Sequence, residues 1–178
     1  MRRQEAFTLI ELLLVMAVIG ILSAIAIPGL VRARQSGNET AAIGSVRAVG
    51  SGQSTYASAC AGGGYAQNNI DLTKAPAGGA PFISPDLAKA DVPGYAKSGY
   101  LIDVSDSADP MNRDVTLSAD TCNASTANAR LNYFVAADPL TRGESGLRSF
   151  ASDRRNTVFF DRSAAIENPI PAGSSFIQ

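Results

Sequence analysis

From Leu12 to Val31 the chain carries no charged residue, and a lone carboxylate, Glu11, stands at the head of that run. The mostly apolar stretch from Phe7 to Val31 spans roughly 37 Å as a helix at about 1.5 Å per residue, enough to cross a bilayer core. An ionised Glu toward such a core costs roughly 2.5–3.5 kcal/mol on insertion scales. Residues 12–31 offer it no partner. The partner is therefore the segment's own N-terminus or another molecule, unless Glu11 snorkels to the headgroups.

The flanks bear on direction. Met1-Arg2-Arg3-Gln4-Glu5-Ala6 is a short polar leader, and its two arginines argue for a cytoplasmic N-terminus. Arg32 and Arg34 on the far side weaken that argument. Three readings fit the segment. A secretory signal would use Ala24-Ile25-Ala26 as a small-x-small cleavage site, and Glu11 fits it poorly. A plain anchor explains the length but makes Glu11 a pure cost. The third reading rests on Ala6-Phe7-Thr8-Leu9-Ile10-Glu11.

That hexapeptide resembles the cleavage segment of type IV pilins and type II secretion pseudopilins. The resemblance covers about residues 1–35. It implies that a prepilin peptidase cuts between Ala6 and Phe7 and methylates the new amine of Phe7. It also implies that Glu11 sets the register between subunits, and that Pro28, with Gly29, interrupts the helix. Ala6 stands where the family usually has Gly. The implied organisation is a leader over 1–6, a transmembrane and polymerisation half-helix over 7–31, an amphipathic half-helix over 32–60 and a headpiece over 61–178. The implied fold is α+β: a long N-terminal helix packed on a small antiparallel sheet of three or four strands.

The same resemblance implies a structural fibre subunit, stored in the bacterial inner membrane with its N-terminus cytoplasmic. It would assemble into a helical type IV pilus at the cell surface, for adhesion, twitching motility or DNA uptake. Its partners would be copies of itself, other pilin-like subunits, the peptidase, and an assembly platform with its motor. A pseudopilin of type II secretion is the alternative, and a secreted binding or catalytic domain with a conventional signal is a second.

Composition agrees with a non-catalytic role. The 178 residues include no His and no Trp, and the net charge is −1. Lack of His removes the commonest general base and metal ligand. Near-neutral charge gives no global pull toward nucleic acid. We expect no enzyme, cofactor, metal or specific nucleic-acid partner. The 147 or so residues beyond Val31 suffice for one domain. Cys60 and Cys122 are the two cysteines. Beyond a membrane the oxidising compartment favours their pairing, which would close a loop of about 60 residues worth about 4 kcal/mol. Two free thiols are the alternative.

Past Val31, Ile43, Val46, Val49 or Gly50, Gln53 and Tyr56 recur at three-to-four spacing and predict an amphipathic continuation to about Ala59. Gly37, Gly44, Gly50 and Gly52 weaken it, so it must be held by packing on a sheet. Such glycines either admit a neighbouring helix or mark looseness. Cys60-Ala61-Gly62-Gly63-Gly64 ends the helix, residues 61–98 are loop-rich, and Pro85–Ala90 predicts one short helix. Strands are predicted at Tyr100–Val104 and Leu131–Ala136, with a hairpin of Leu147–Ala151 and Thr157–Phe160 around Asp153–Asn156. Asp106–Arg130 reads as a polar insertion carrying Cys122.

Weaker constellations are Asp103, Asp106, Asp109, Asp114 and Asp120, which form a calcium site or a solvated acidic loop. Arg142, Arg148, Arg154, Arg155 and Arg162 make a basic C-terminal region, a nucleic-acid patch or a solvated sheet edge. Asn123-Ala124-Ser125 fits the bare glycosylation sequon.

Overall fold

The computed structural model describes residues 8–87 and 96–177. Helix α1 runs from Leu9 to Ala59, and a short α2 spans Asn69–Thr73. Six strands follow: β1 (Tyr100–Asp106), β2 (Asp114–Thr116), β3 (Ala129–Arg130), β4 (Tyr133–Pro139), β5 (Ser149–Asp153) and β6 (Phe159–Asp161). β1, β4, β5 and β6 form one antiparallel sheet in that order, and β2 with β3 forms a two-stranded ribbon. The architecture is the α+β one expected, with the sheet at four strands. The chain divides into two compact units, Met1–Arg34 and Gln35–Gln178.

The second unit is built on the C-terminal part of α1. Ala42, Val46, Val49 and Tyr56 form its apolar stripe and are buried. They join Tyr100, Ile102 and Val104 of β1, Tyr133, Val135 and Ala137 of β4, and Phe150 of β5 in a single cluster. These strand residues alternate, as one face of a pleated sheet requires. Gln53 continues the stripe as a polar member. Its amide donates to the Ala66 carbonyl at 2.7 Å and accepts from the Ala66 N–H at 2.9 Å, so the side chain pairs like a strand neighbour.

The opposite sheet face carries a smaller cluster of Phe134, Ala151, Phe159 and Ile170, closed by the returning C-terminal segment. That segment also pairs with the β6 edge: Phe160 N–H donates to Ser175 and Ile177 N–H to Val158. At the other edge Asn69 of α2 donates to the Ile102 carbonyl at 2.9 Å and accepts from the Val104 N–H at 2.8 Å. Both exposed ladders are thereby occupied, which blunts edge-to-edge pairing.

Predicted and observed strands differ for local reasons. The strand predicted from Leu131 begins at Tyr133, because Asn132 spends its backbone N–H on the Asn112 side chain and its own Oδ1 on Tyr133 and Arg154. The strand predicted from Leu147 begins at Ser149, because the N–H groups of Leu147 and Arg148 both donate to Glu39 of α1. The polar insertion holds the β2–β3 ribbon, and α2 arises from the Asn68 cap, whose side chain accepts from Asp71 N–H at 2.8 Å. Of the helix predicted at Pro85–Ala90, residues 85–87 form a 3-10 turn and the remainder lies outside the described residues.

Two helix glycines separate close approach from looseness. A Cβ on Gly52 would lie 2.4 Å from Ile83 Cγ2 and 2.7 Å from the Phe82 carbonyl oxygen; one on Gly44 meets nothing within 4 Å. Gly52→Ala should destabilise the headpiece by about 1–3 kcal/mol through overpacking. Gly44→Ala should stabilise it by up to about 1 kcal/mol. Thermal unfolding followed by the near-ultraviolet signal of the buried tyrosines checks both.

Candidate functional site

The residues singled out by sequence fall into the exposed apolar helix, its two termini and the disulfide. In the first unit the large apolar side chains from Leu9 to Val31 are all solvent-exposed, including Leu9 (77%) and Ile25 (75%). A soluble helix hides such a stripe; this one has no stripe, being apolar all round. α1 contains a segment long and apolar enough to cross a membrane.

Glu11 has a local partner that the sequence reading did not name. Thr8 precedes the first turn, and its hydroxyl accepts from Glu11 N–H at 3.3 Å. The Glu11 carboxylate reaches back to Thr8 N–H at 3.4 Å and to the Thr8 hydroxyl at 3.2 Å. Thr8-x-x-Glu11 is thus a reciprocal capping box, and a carboxylate in the first turn also favours the positive end of the helix dipole. The Thr-x-x-Glu spacing ahead of an apolar run was the signal that could have found it. Among the described residues the partner of Glu11 is Thr8, a neutral cap and not the terminal amine. Ala6 and Phe7, where cleavage and methylation are expected, lie outside the described residues.

Pro28 and Gly29 do not break the helix here. Residues 24–30 are helical, and Pro28 sits inside α1. A proline removes one intrahelical hydrogen bond, and the bonds on either side are enough to carry the helix through. The interruption expected at Pro28 and Gly29 is thus not a loss of helix in this state of the chain.

Cys60 and Cys122 form a disulfide with Cα atoms 4.7 Å apart. It joins the C-terminus of α1 to the 118–128 loop, where Cys122 N–H also donates to the Cys60 carbonyl at 3.2 Å. The surrounding loop is fastened by side chains. Buried Asp71 accepts from Thr126 N–H (2.6 Å), the Thr126 hydroxyl (3.0 Å), Ala127 N–H (3.2 Å) and the Asn68 amide (2.9 Å). Asn123 donates to the carbonyls of Asp71 (2.8 Å) and Lys74 (3.0 Å) and is buried. The sequon nitrogen at Asn123 is thus enclosed and committed to two carbonyls, which leaves it unavailable in the folded chain.

At its other end the headpiece part of α1 is strapped by the 140–148 loop. Gln35 donates to the Gly143 carbonyl, and Asn38 to the Ser145 carbonyl at 2.8 Å. Glu39 accepts from Leu147 N–H (2.9 Å) and Arg148 N–H (3.1 Å), and pairs with the Arg148 guanidinium at 2.7 Å. Burial alone would raise the Glu39 pKa. The two backbone donors and Arg148 outweigh it and hold the carboxyl below its ordinary value.

The acidic and basic constellations disperse into such pairs. Asp106 and Asp114 both meet Arg130, and Asp109 accepts from Met111 N–H. Arg155 pairs with Asp153 at 2.8 Å while lying over the Phe159 ring. Among the described residues no group of three or more His, Cys, Asp or Glu side chains is placed to hold a metal ion.

Residues 1–27 match the family model of the prokaryotic N-terminal methylation motif. Over 40 residues the chain is 55% identical to the type IV wide pilus major component PilA4 of Thermus thermophilus. That stretch is 22% of this chain and spans 30% of that relative. No solved structure matches the chain. Over those stretches the chain is similar to type IV pilins, and its α+β architecture is the one that the resemblance implied. The motif and the apolar helix are together those of a segment able to anchor the chain in a membrane.

Two outcomes follow for the headpiece. Glu39 contributes stability that is complete above the unfolded-state pKa of about 4.3 and is lost as pH falls through the lower folded-state value. Glu39→Gln should cost about 2 kcal/mol at neutral pH and flatten the acid limb of the stability profile, so that the two proteins converge once the pH lies below the folded-state value. Denaturant titrations across pH measure this. Replacing both cysteines by Ser should cost about 4 kcal/mol, from the 62-residue separation that the bond closes. A chemical-denaturation midpoint shared with the oxidised protein would refute that cost.

Proposed function

We propose that this chain is a structural subunit of a type IV pilus, held in the inner membrane by residues 7–31 and polymerised through the same residues. The role is mechanical. The observation that carries it is the uncharged, fully exposed run from Leu12 to Val31 with Glu11 capped at its head. Lipid tails and packed helices are similarly apolar, so such a segment exchanges one for the other at small net cost. The likeness over 40 residues to a wide-pilus component supports a pilus subunit at the general level.

In this reading the leader 1–6 is removed between Ala6 and Phe7 by a prepilin peptidase, and the Phe7 amine is methylated. The new amine has a reference pKa of about 8 and is cationic at neutral pH. In the bilayer Glu11 is served by Thr8. On assembly it turns to the Phe7 amine of the neighbouring subunit, which relieves two desolvated charges together and selects one axial stagger. The Thr8–Glu11 contacts, at 3.2–3.4 Å, are long for hydrogen bonds and yield readily to a charged partner. Pro28 and Gly29 mark where α1 stretches or bends inside the fibre. The partners are further copies of this chain, related pilin-like subunits, and an assembly platform with its motor.

The mature protein should begin at Phe7 and weigh one methyl more than the unmodified chain, as intact mass spectrometry would record. A mature start at Ile27 would instead mean a secreted domain with a conventional signal. Glu11→Ala should leave membrane insertion and processing unchanged while abolishing fibres seen by electron microscopy. Fibres at wild-type yield in that variant would end the register role.

A further inference from the structure

Among the described residues outside α1 eight large apolar side chains are exposed, and two of them bracket one loop: Leu140 (54% exposed) and Leu147 (52%). This is the loop strapped to Gln35, Asn38 and Glu39, the first turn and a half of α1 in the headpiece unit. Gln35 follows Val31 by four residues. Whatever the conformation between them, the chain lets the two stand no more than about 14 Å apart. A loop bonded directly to Gln35 is therefore tied to the chain four residues after the apolar run ends.

The loop's polar groups suit a wet, phosphate-bearing surface. The Arg142 guanidinium is braced by the Leu147 carbonyl and by the Ser149 hydroxyl at 2.7 Å, which holds a cation between the two leucines. Arg162 is exposed, and with Leu147, Arg148 and Glu39 it lines an open cleft of about 290 Å³. Of the nearby acids Glu39 is paired with Arg148, whereas Asp161 accepts from Ser163 and Ala164 and remains an anion near Arg142. Asp161 and exposed Glu144 together offset the two arginines. Apolar side chains flanked by arginines are the composition that seats at the headgroup boundary.

We propose that the 140–148 loop is a lipid-docking surface: Leu140 and Leu147 enter the interfacial layer of the membrane that holds the subunit, and Arg142 and Arg162 contact phospholipid phosphates. The proposal rests on the membrane-anchored reading and adds a second, peripheral attachment to it. With both arginines offset, by Glu144 and Asp161, the two leucines supply most of the attachment, so it depends weakly on salt. Assembly into a fibre would then have to detach this loop as well as extract the helix.

The test uses the full chain, one copy per nanodisc of phosphatidylethanolamine and phosphatidylglycerol. An environment-sensitive dye is placed on Thr141→Cys, which keeps both leucines, and on Met111→Cys (Met111 is 72% exposed) as a water reference. A third label on Leu22→Cys reports the anchor. Lipids spin-labelled at the headgroup should quench the label at 141 at least about twofold more than the label at 111, with little change between about 0.1 and about 0.5 M salt. Leu140→Asp with Leu147→Asp, both at exposed positions, should return the 141 label to the level of the 111 label. Equal quenching at 141 and 111, with the label at 22 quenched by deep spin-labelled lipid, overturns the docking surface and leaves the anchor standing. No quenching at 22 overturns the anchor itself. Quenching at 141 that appears only with two copies per disc assigns the surface to a second copy and overturns the lipid proposal.

Discussion

One helix has to satisfy two solvents. The side chains of α1 from Leu9 to Val31 are exposed and uncharged after Glu11, whereas those from Gln35 to Ala57 bury a stripe under a sheet. The apolar half keeps its large side chains in solvent. It is left to lipid or to other helices, and both are apolar enough to receive it. Storage in a membrane and polymerisation into a fibre are thus two answers to the same exposed surface.

The headpiece compensates for a modest core with polar side chains that act as backbone. Gln53 pairs with Ala66 through both amide atoms, Asn69 completes the β1 ladder, and Asp71 gathers the turn after Cys122. Each is buried and each has its partners, the condition under which burying a polar group does not destabilise. Their geometry is specific, so they fix which loop lies where. An apolar core of Ala, Val and Tyr would tolerate several arrangements of those loops.

What sequence could and could not reveal follows from the range of the interactions. The stripe Val46, Val49, Gln53, Tyr56 was legible because a helix repeats it locally, and β1 was legible because Tyr100–Val104 alternates. The edges of β4 and β5 were not, since they are set by Asn132 and Glu39, whose partners lie about 20 and over 100 residues away. The β2–β3 ribbon has too few residues for alternation to register. At the N-terminus the charge of Glu11 was visible at once, while its cap was overlooked. A threonine three residues earlier reads as part of the apolar run until the helix start is known. Pro28 was judged by its intrinsic effect, and the intact turns around it outweigh that effect in this state.

The two fastenings of the buried half of α1 stand at its ends. Gln35, Asn38 and Glu39 hold the 140–148 loop at one end, and the Cys60–Cys122 bond holds the 118–128 loop at the other. From Glu39 to Cys60 the helix rises about 31 Å at about 1.5 Å per residue. A pull entering through residues 32–34 meets the Gln35–Gly143 bond first, then Asn38–Ser145 and the Glu39–Arg148 pair. Failure there would have to travel the whole stripe of Ala42, Val46, Val49, Gln53 and Tyr56 before reaching a covalent stop. Load is therefore shared in shear along the helix and not concentrated at one contact, and the disulfide sets the limit beyond which the helix cannot leave its sheet. A fibre subunit needs that property, because in a fibre every headpiece hangs from the neighbours' helices by its own.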